Sequence, residues 1–61
     1  MKSSELYKKV KQAGWYEISQ EGSHIKMKHP KKEGILIFPY HGSKEVPFGT
    51  EKAIKKQAGI K

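Results

Sequence analysis

Residues 24–28 alternate strictly between polar and apolar side chains, and this pattern restricts the possible folds more than any other part of the chain. Ile25 and Met27 fall on one side of an extended strand. Three polar side chains fall on the other side: His24, Lys26 and Lys28. One face of such a strand contacts a core and the other contacts water. The segment therefore predicts an antiparallel sheet with one open face.

The chain is too short and too polar to build a large core. It has 61 residues, of which 34% are hydrophobic, and it contains no cysteine. A chain of this length leaves about 40% of its unfolded surface exposed, so we expect one small domain over residues 1–61. The missing cysteines exclude disulfides and thiolate metal sites. No apolar run approaches the length of about 20 residues that a membrane span needs, and we expect a cytoplasmic protein that binds no membrane.

Two segments have the apolar spacing of helices, and both end in the same way. Residues 3–13 predict the first helix, with Ser3 as its N-cap. Gly14 is expected to end it in a left-handed conformation, so that Trp15 folds back onto the helix. Residues 50–58 predict the second helix, which ends in the same Gln-Ala-Gly sequence followed by an apolar residue.

Three strands are expected between these helices, at residues 15–19, 24–28 and 35–38. The first places Tyr16 and Ile18 on one side. The third is a continuous apolar run, which is typical of a strand that is central or covered on both sides. The predicted fold is α+β in the order αβββα, with both helices on one face of a three-stranded antiparallel sheet.

The charge of the chain indicates a polyanionic partner. Thirteen lysines and six glutamates give a net charge of +7, and arginine is absent. Such an excess attracts nucleic acid or an acidic protein, although a solvated lysine surface that maintains solubility is an equal alternative. Three lysines share one face of the second helix and predict either phosphate contacts or an ordinary solvated face: Lys52, Lys55 and Lys56.

His24 is the candidate catalytic residue. On the open face it lies in a row with Lys26 and Lys28, where a neutral imidazole can act as a general base and ammonium groups can hold a phosphodiester. The alternative is that His24 only starts a strand after a turn. Ser23 points to the opposite face from His24, and no acidic residue is obviously placed to orient the imidazole, so a hydrolase triad is not predicted.

The other two histidines are weaker candidates. His29 is interpreted as a turn residue before Pro30, and His41 as a solvated loop residue. The spacing of the three histidines fits no familiar zinc pattern, and we predict neither a metal site nor a cofactor.

An ordered series of short motifs resembles the HicA toxins of bacterial toxin–antitoxin modules. The series spans essentially the whole chain and consists of residues 1–6, Ala13-Gly14-Trp15, Gly22-Ser23-His24, Lys28-His29-Pro30, and residues 41–45, 49–50 and 54–60. Two departures stand out. Many relatives have a second histidine where this chain has Ile25, and residues 46–48 are more apolar than is usual, which bears on how RNA or an antitoxin docks.

The resemblance implies a fold like the double-stranded-RNA-binding domain and a metal-independent endonuclease activity on mRNA. It also implies inhibition by a HicB-type antitoxin, and it places the catalytic histidine at His24. The residues predicted to contact RNA are Ser23, Lys26, Lys28, Lys52, Lys55 and Lys56. A non-catalytic RNA-binding module is the main rival, and a small ribosome-associated structural protein is a third possibility that depends on charge alone.

Overall fold

The computed structural model describes residues 1–60 and contains two helices and one three-stranded sheet. The elements are α1 (Ser3–Gln12), β1 (Tyr16–Glu21), β2 (His24–His29), β3 (Lys32–Pro39) and α2 (Phe48–Ala58). The strands are antiparallel and lie in the order β1-β2-β3. The predicted α+β class and αβββα order are confirmed. Lys61, the last residue of the predicted domain, lies outside the described residues.

A single core fills the space between the helices and one face of the sheet. Ile25 and Met27 of the central strand β2 contribute to it, as the alternation predicts. The other buried apolar residues come from both helices, β3 and the residue before β1: Leu6, Val10, Trp15, Leu36, Phe38, Ile54 and Ala58. The opposite face of the sheet has no covering element among residues 1–60.

The expectation for the third strand is wrong. β3 is an edge strand rather than a central one, and it begins at Lys32, before the apolar run. Leu36 and Phe38 are buried, but Ile35 and Ile37 are 43% and 45% exposed. Because both helices lie on the same side, an apolar run places every second side chain on the open face.

The first strand differs from its prediction in length and regularity. β1 extends to Glu21 and leaves only Gly22 and Ser23 in the turn. Its pairing with β2 shifts between Glu17 and Ser19, which is a β-bulge. The extra residue interrupts the alternation that the sequence analysis assumed for this strand.

The start of α1 also corrects the sequence analysis. Lys2, not Ser3, is the N-cap, and its backbone N–H donates to the Glu5 carboxylate at 3.0 Å. Ser3 is only 1% exposed, and its hydroxyl accepts a hydrogen bond from the backbone N–H of His41 at 3.0 Å. Ser3 therefore joins the helix to a distant loop instead of capping its own helix.

The ends of the two helices are joined through Trp15. Gly14 follows α1 with φ +107°, and Gly59 ends α2 with φ +76°, so both predicted glycine terminations are confirmed. Trp15 is buried, and its indole N–H donates to the carbonyl of Ala58 at 3.1 Å. This bond fixes the end of α2 against the end of α1.

His29 has a structural role at the same end of the sheet. Its Nε2 donates to the carbonyl of Ala13 at 2.9 Å, and its Nδ1 accepts from the backbone N–H of Lys31 at 3.0 Å. The ring also contacts Trp15 edge-on, with centroids 5.4 Å apart. Both ring nitrogens of His29 thus form hydrogen bonds with the main chain.

Neither helix within residues 1–60 has the length and apolar character needed to span a bilayer.

Replacing Gly14 by alanine should destabilise the protein more than replacing Gly22. A Cβ at Gly14 would lie 2.7 Å from His29 Nε2, whereas a Cβ at Gly22 meets nothing within 4 Å, and both glycines have positive φ. We expect a loss of about 3 kcal/mol for Gly14→Ala and about 1 kcal/mol for Gly22→Ala, measured by chemical unfolding. Equal losses would show that the contact with His29 does not matter.

Candidate active site

The open face of β2 carries the predicted row of polar side chains. His24, Lys26 and Lys28 are all exposed, on the side opposite the buried Ile25 and Met27. The predicted position of the imidazole, outside the core and accessible to solvent, is confirmed. We call these three residues the polar row.

The neighbours of the row come from the flanking strands. Residues paired directly across an antiparallel sheet share a face. His24 pairs with Glu21 of β1 and Pro39 of β3, and Lys26 pairs with Ser19 and Ile37. The imidazole therefore lies at the start of β2, next to the turn between β1 and β2.

Glu21 is a neighbour that the sequence analysis missed. The sequence analysis identified no acidic residue placed near His24. The turn between β1 and β2 has only two residues, so Glu21 and His24 stand opposite each other. The short turn could have predicted this pairing from the sequence, because a two-residue hairpin loop fixes the pairing of the residues beside it.

The two predicted groups of RNA-contacting lysines lie in different layers. Lys26 and Lys28 are on the open face of the sheet, whereas α2 packs against its other face. Lys52 and Lys56 are exposed on α2. Lys55 is an ion-pair partner of Glu51, with Nζ and Oε2 3.1 Å apart. The structure does not bring these lysines together into one surface.

A groove of about 200 Å³ lies at the same end of the sheet as His24. Its apolar walls are Pro39, Val46 and Pro47, and its polar lining residues are Ser3, His41, Glu45 and Thr50. Pro39 is the cross-strand partner of His24. The next residue, Tyr40, donates its backbone N–H to the carbonyl of Ser23 at 2.7 Å. The groove and the polar row therefore share the end of β3.

The loop that forms the groove is attached to the start of α1. The first N–H groups of a helix have no partner within the helix. Here Ser3 and Ser4 donate theirs to the carbonyls of Lys44 and Gly42, both at 2.9 Å. The hydroxyl of Ser3 adds the bond to the N–H of His41. The main chain of the groove is thereby held in place without using the His41 imidazole.

A small ion-pair network borders the groove. The Met1 ammonium lies 2.8 Å from Glu45 Oε2 and 3.6 Å from Glu51 Oε1. The hydrogen bond from Lys55 lowers the pKa of Glu51, and the Met1 ammonium adds to this effect. The Met1 ammonium donates a hydrogen bond to Glu45, and this bond is the main reason why the pKa of the ammonium group is raised.

The histidines lie at three separate places: His24 on the open face, His29 against Trp15, and His41 in the groove. Within residues 1–60, no cluster of three histidine or carboxylate side chains is placed to hold a metal ion. Ser23, which was predicted to contact RNA, is half-buried in the turn before His24.

Comparison with known proteins identifies the family. A family model described as the HicA toxin of bacterial toxin–antitoxin matches residues 3–60. The chain belongs to the HicA toxin family. It is 39% identical over 61 residues to a protein of Pseudomonas fluorescens (strain Pf0-1) named "Probable mRNA interferase HicA". The match covers 100% of this chain and 98% of that relative. The resemblance of this chain to HicA toxins is confirmed over nearly its whole length, which includes the polar row and the groove.

Glu51→Gln should remove a pH-dependent part of the stability of this HicA family member. Because folding lowers the pKa of Glu51, its ion pairs stabilise the fold above the ordinary glutamate pKa, and this contribution is lost as the pH falls through the lowered value. The difference in unfolding free energy between wild type and variant should therefore shrink on acidification. Chemical unfolding at a series of pH values measures it.

Glu33→Gln is the matched control for this experiment. Glu33 is exposed and forms no salt bridge within residues 1–60. Glu33→Gln removes the same charge as Glu51→Gln without breaking an ion pair, so it measures the effect of the net charge alone. A constant difference between wild type and Glu51→Gln down to acidic pH would contradict the assigned ion pairs.

Proposed function

We propose that this chain is the toxin component of a type II toxin–antitoxin system and acts in the cytoplasm as a metal-independent endoribonuclease on mRNA, with His24 as its general base. The observation that carries the proposal is the exposed imidazole in a row with two lysines on an open sheet face. Membership of the HicA family and the name of the Pseudomonas relative support ribonuclease activity.

The proposed reaction uses the 2′-hydroxyl of the RNA as its nucleophile. His24 accepts the proton from this hydroxyl, and the resulting alkoxide attacks the adjacent phosphorus. The bond from phosphorus to the 5′-oxygen of the next nucleotide breaks, and that oxygen takes a proton from water or from a lysine. The products are a 2′,3′-cyclic phosphate and a 5′-hydroxyl. DNA has no 2′-hydroxyl and should not be cleaved.

The lysines of the polar row have an electrostatic role in this proposal. Lys26 and Lys28 share the face of His24, so a phosphodiester beside the imidazole lies near two positive charges. Positive charge offsets the negative charge that grows on the phosphoryl oxygens as the reaction proceeds. Lys52 and Lys56 lie in the helix layer, where they are proposed to contact more distant phosphates of the same RNA.

His24→Ala should abolish RNA cleavage while leaving the fold intact. The side chain is exposed, so its removal leaves no cavity, and the free energy of unfolding should change by no more than about 0.5 kcal/mol. A lost general base typically costs about a hundred- to ten-thousand-fold in rate. Gel analysis of a labelled RNA measures the rate, and affinity for RNA should hardly change.

Two further measurements define what the His24 result means. RNA with deoxyribose at the cleavage position should remain uncut by the wild type, and a chelator should not alter the wild-type rate. If folded His24→Ala cleaves as fast as the wild type, the function is instead that of a non-catalytic RNA-binding module.

Lys26→Ala should weaken RNA binding and should make the affinity less dependent on salt concentration. Each lost phosphate contact to a single strand lowers the slope of log affinity against log salt by about 0.7. Lys31→Ala is the matched control, since Lys31 is an exposed lysine in the turn at the other end of β2. An equal effect of both substitutions would show that only the net charge matters.

The proposed protein partner is a HicB-type antitoxin with an acidic surface that covers the polar row. The net charge of +7 and the open sheet face support this proposal. Complex formation should weaken steeply as the salt concentration rises, and Lys26→Ala should weaken it further. Titration calorimetry at several salt concentrations measures both effects. Salt-independent binding, or a complex in which His24 still reacts with an imidazole-modifying reagent, would contradict this mode of inhibition.

A further inference from the structure

The groove beside His24 differs in chemistry from the rest of this lysine-rich protein. The chain has thirteen lysines, yet none of the seven residues that line the groove is a lysine. Three of the seven are apolar: Pro39, Val46 and Pro47. A phosphate group would find no free ammonium group there and would approach the carboxylate of Glu45. The lining therefore suits an uncharged, flat and partly apolar group.

The dimensions of the groove restrict the occupant further. Its volume of about 200 Å³ is below the range of about 300–1,000 Å³ found for sites that bind drug-sized ligands. A helix or a folded segment of a partner does not fit such a volume. A single planar ring does.

His41 provides a surface against which a ring can stack. It lines the groove, and its residue is exposed. Its backbone N–H is bound by the hydroxyl of Ser3, and Ser3 is 1% exposed. The position of His41 is thus fixed through its main chain while its imidazole stays available for stacking.

We propose that this groove binds one unpaired nucleobase of the RNA substrate, stacked on His41, next to the nucleotide whose 2′-hydroxyl meets His24. The inference depends on the proposed function and adds a specificity-determining site to it. Because Pro39 lies both opposite His24 and in the wall of the groove, a strand that crosses the polar row at His24 passes next to the groove. The base in the groove would select where the strand is cut.

The experiment removes single bases from the RNA and the imidazole from the protein. The cleavage position is first mapped with the wild type. A single-stranded oligonucleotide of the same sequence, with a 2′-O-methyl group at that position, is then made with one abasic nucleotide at a time. Binding of each oligonucleotide is measured for the wild type and for His41→Ala, His41→Phe and Ser43→Ala.

One abasic position beside the cleavage site should weaken binding to the wild type by about fivefold or more, the loss typical of one stacked base. His41→Ala should bind the intact oligonucleotide more weakly and should be insensitive to that abasic position. His41→Phe keeps an aromatic ring and should restore the sensitivity. Ser43→Ala, an exposed residue of the same loop that does not line the groove, should behave like the wild type.

The failures of the two proposals are distinguishable. If the wild type cleaves RNA through His24 but no abasic position shows a loss that His41→Ala removes, the base site is wrong and the nuclease stands. If His41→Phe behaves like His41→Ala, stacking is wrong. If the wild type neither cleaves nor binds RNA, the proposed function and the base site both fall.

Discussion

The fold depends on the burial of Ile25 and Met27 in the middle of the sheet. β2 is the central strand, and the helices cover only one of its faces. A shift in pairing by one residue would bury His24, Lys26 and Lys28 and expose the two apolar side chains. Burial of unpaired ammonium groups costs far more than a small domain can offset. The same interaction that stabilises the core therefore keeps the imidazole and its lysines in water.

Much of the architecture could be predicted because it is determined by neighbouring residues. The alternation in β2 and the glycines that end both helices are local patterns, and each has the expected geometry. The faces of β3 could not be predicted in this way. An apolar run such as residues 35–38 does not reveal how many faces of its strand are covered, since that depends on where the helices pack.

In the candidate site too, only the features set by neighbouring residues could be predicted from the sequence. His24 could be placed on the open face from the spacing of residues 24–28 alone. Two other features could not be predicted from residue spacing, because they depend on contacts in the folded chain. One is the ion pair of Lys55 with Glu51, and the other is the groove formed by Ser3 with the loop after β3. Ser3 and His41 are 38 residues apart in the chain, so their hydrogen bond leaves no periodic signal. The resemblance to HicA toxins could locate the histidine, but only the folded chain places a lysine-free groove next to it.

Trp15 gives this protein a built-in optical probe of its tertiary structure. It is the chain's one tryptophan, and the Ala58 carbonyl holds its buried indole between the ends of both helices. The ring lies against His29, at the other end of β2 from His24, and five residue steps along a strand correspond to about 16 Å. Its fluorescence therefore reports whether the two helices remain joined, and ligands at the His24 end of β2 should leave that emission largely unchanged. The emission of Trp15 can thus show, without any attached label, that a variant that no longer binds its ligand is still folded.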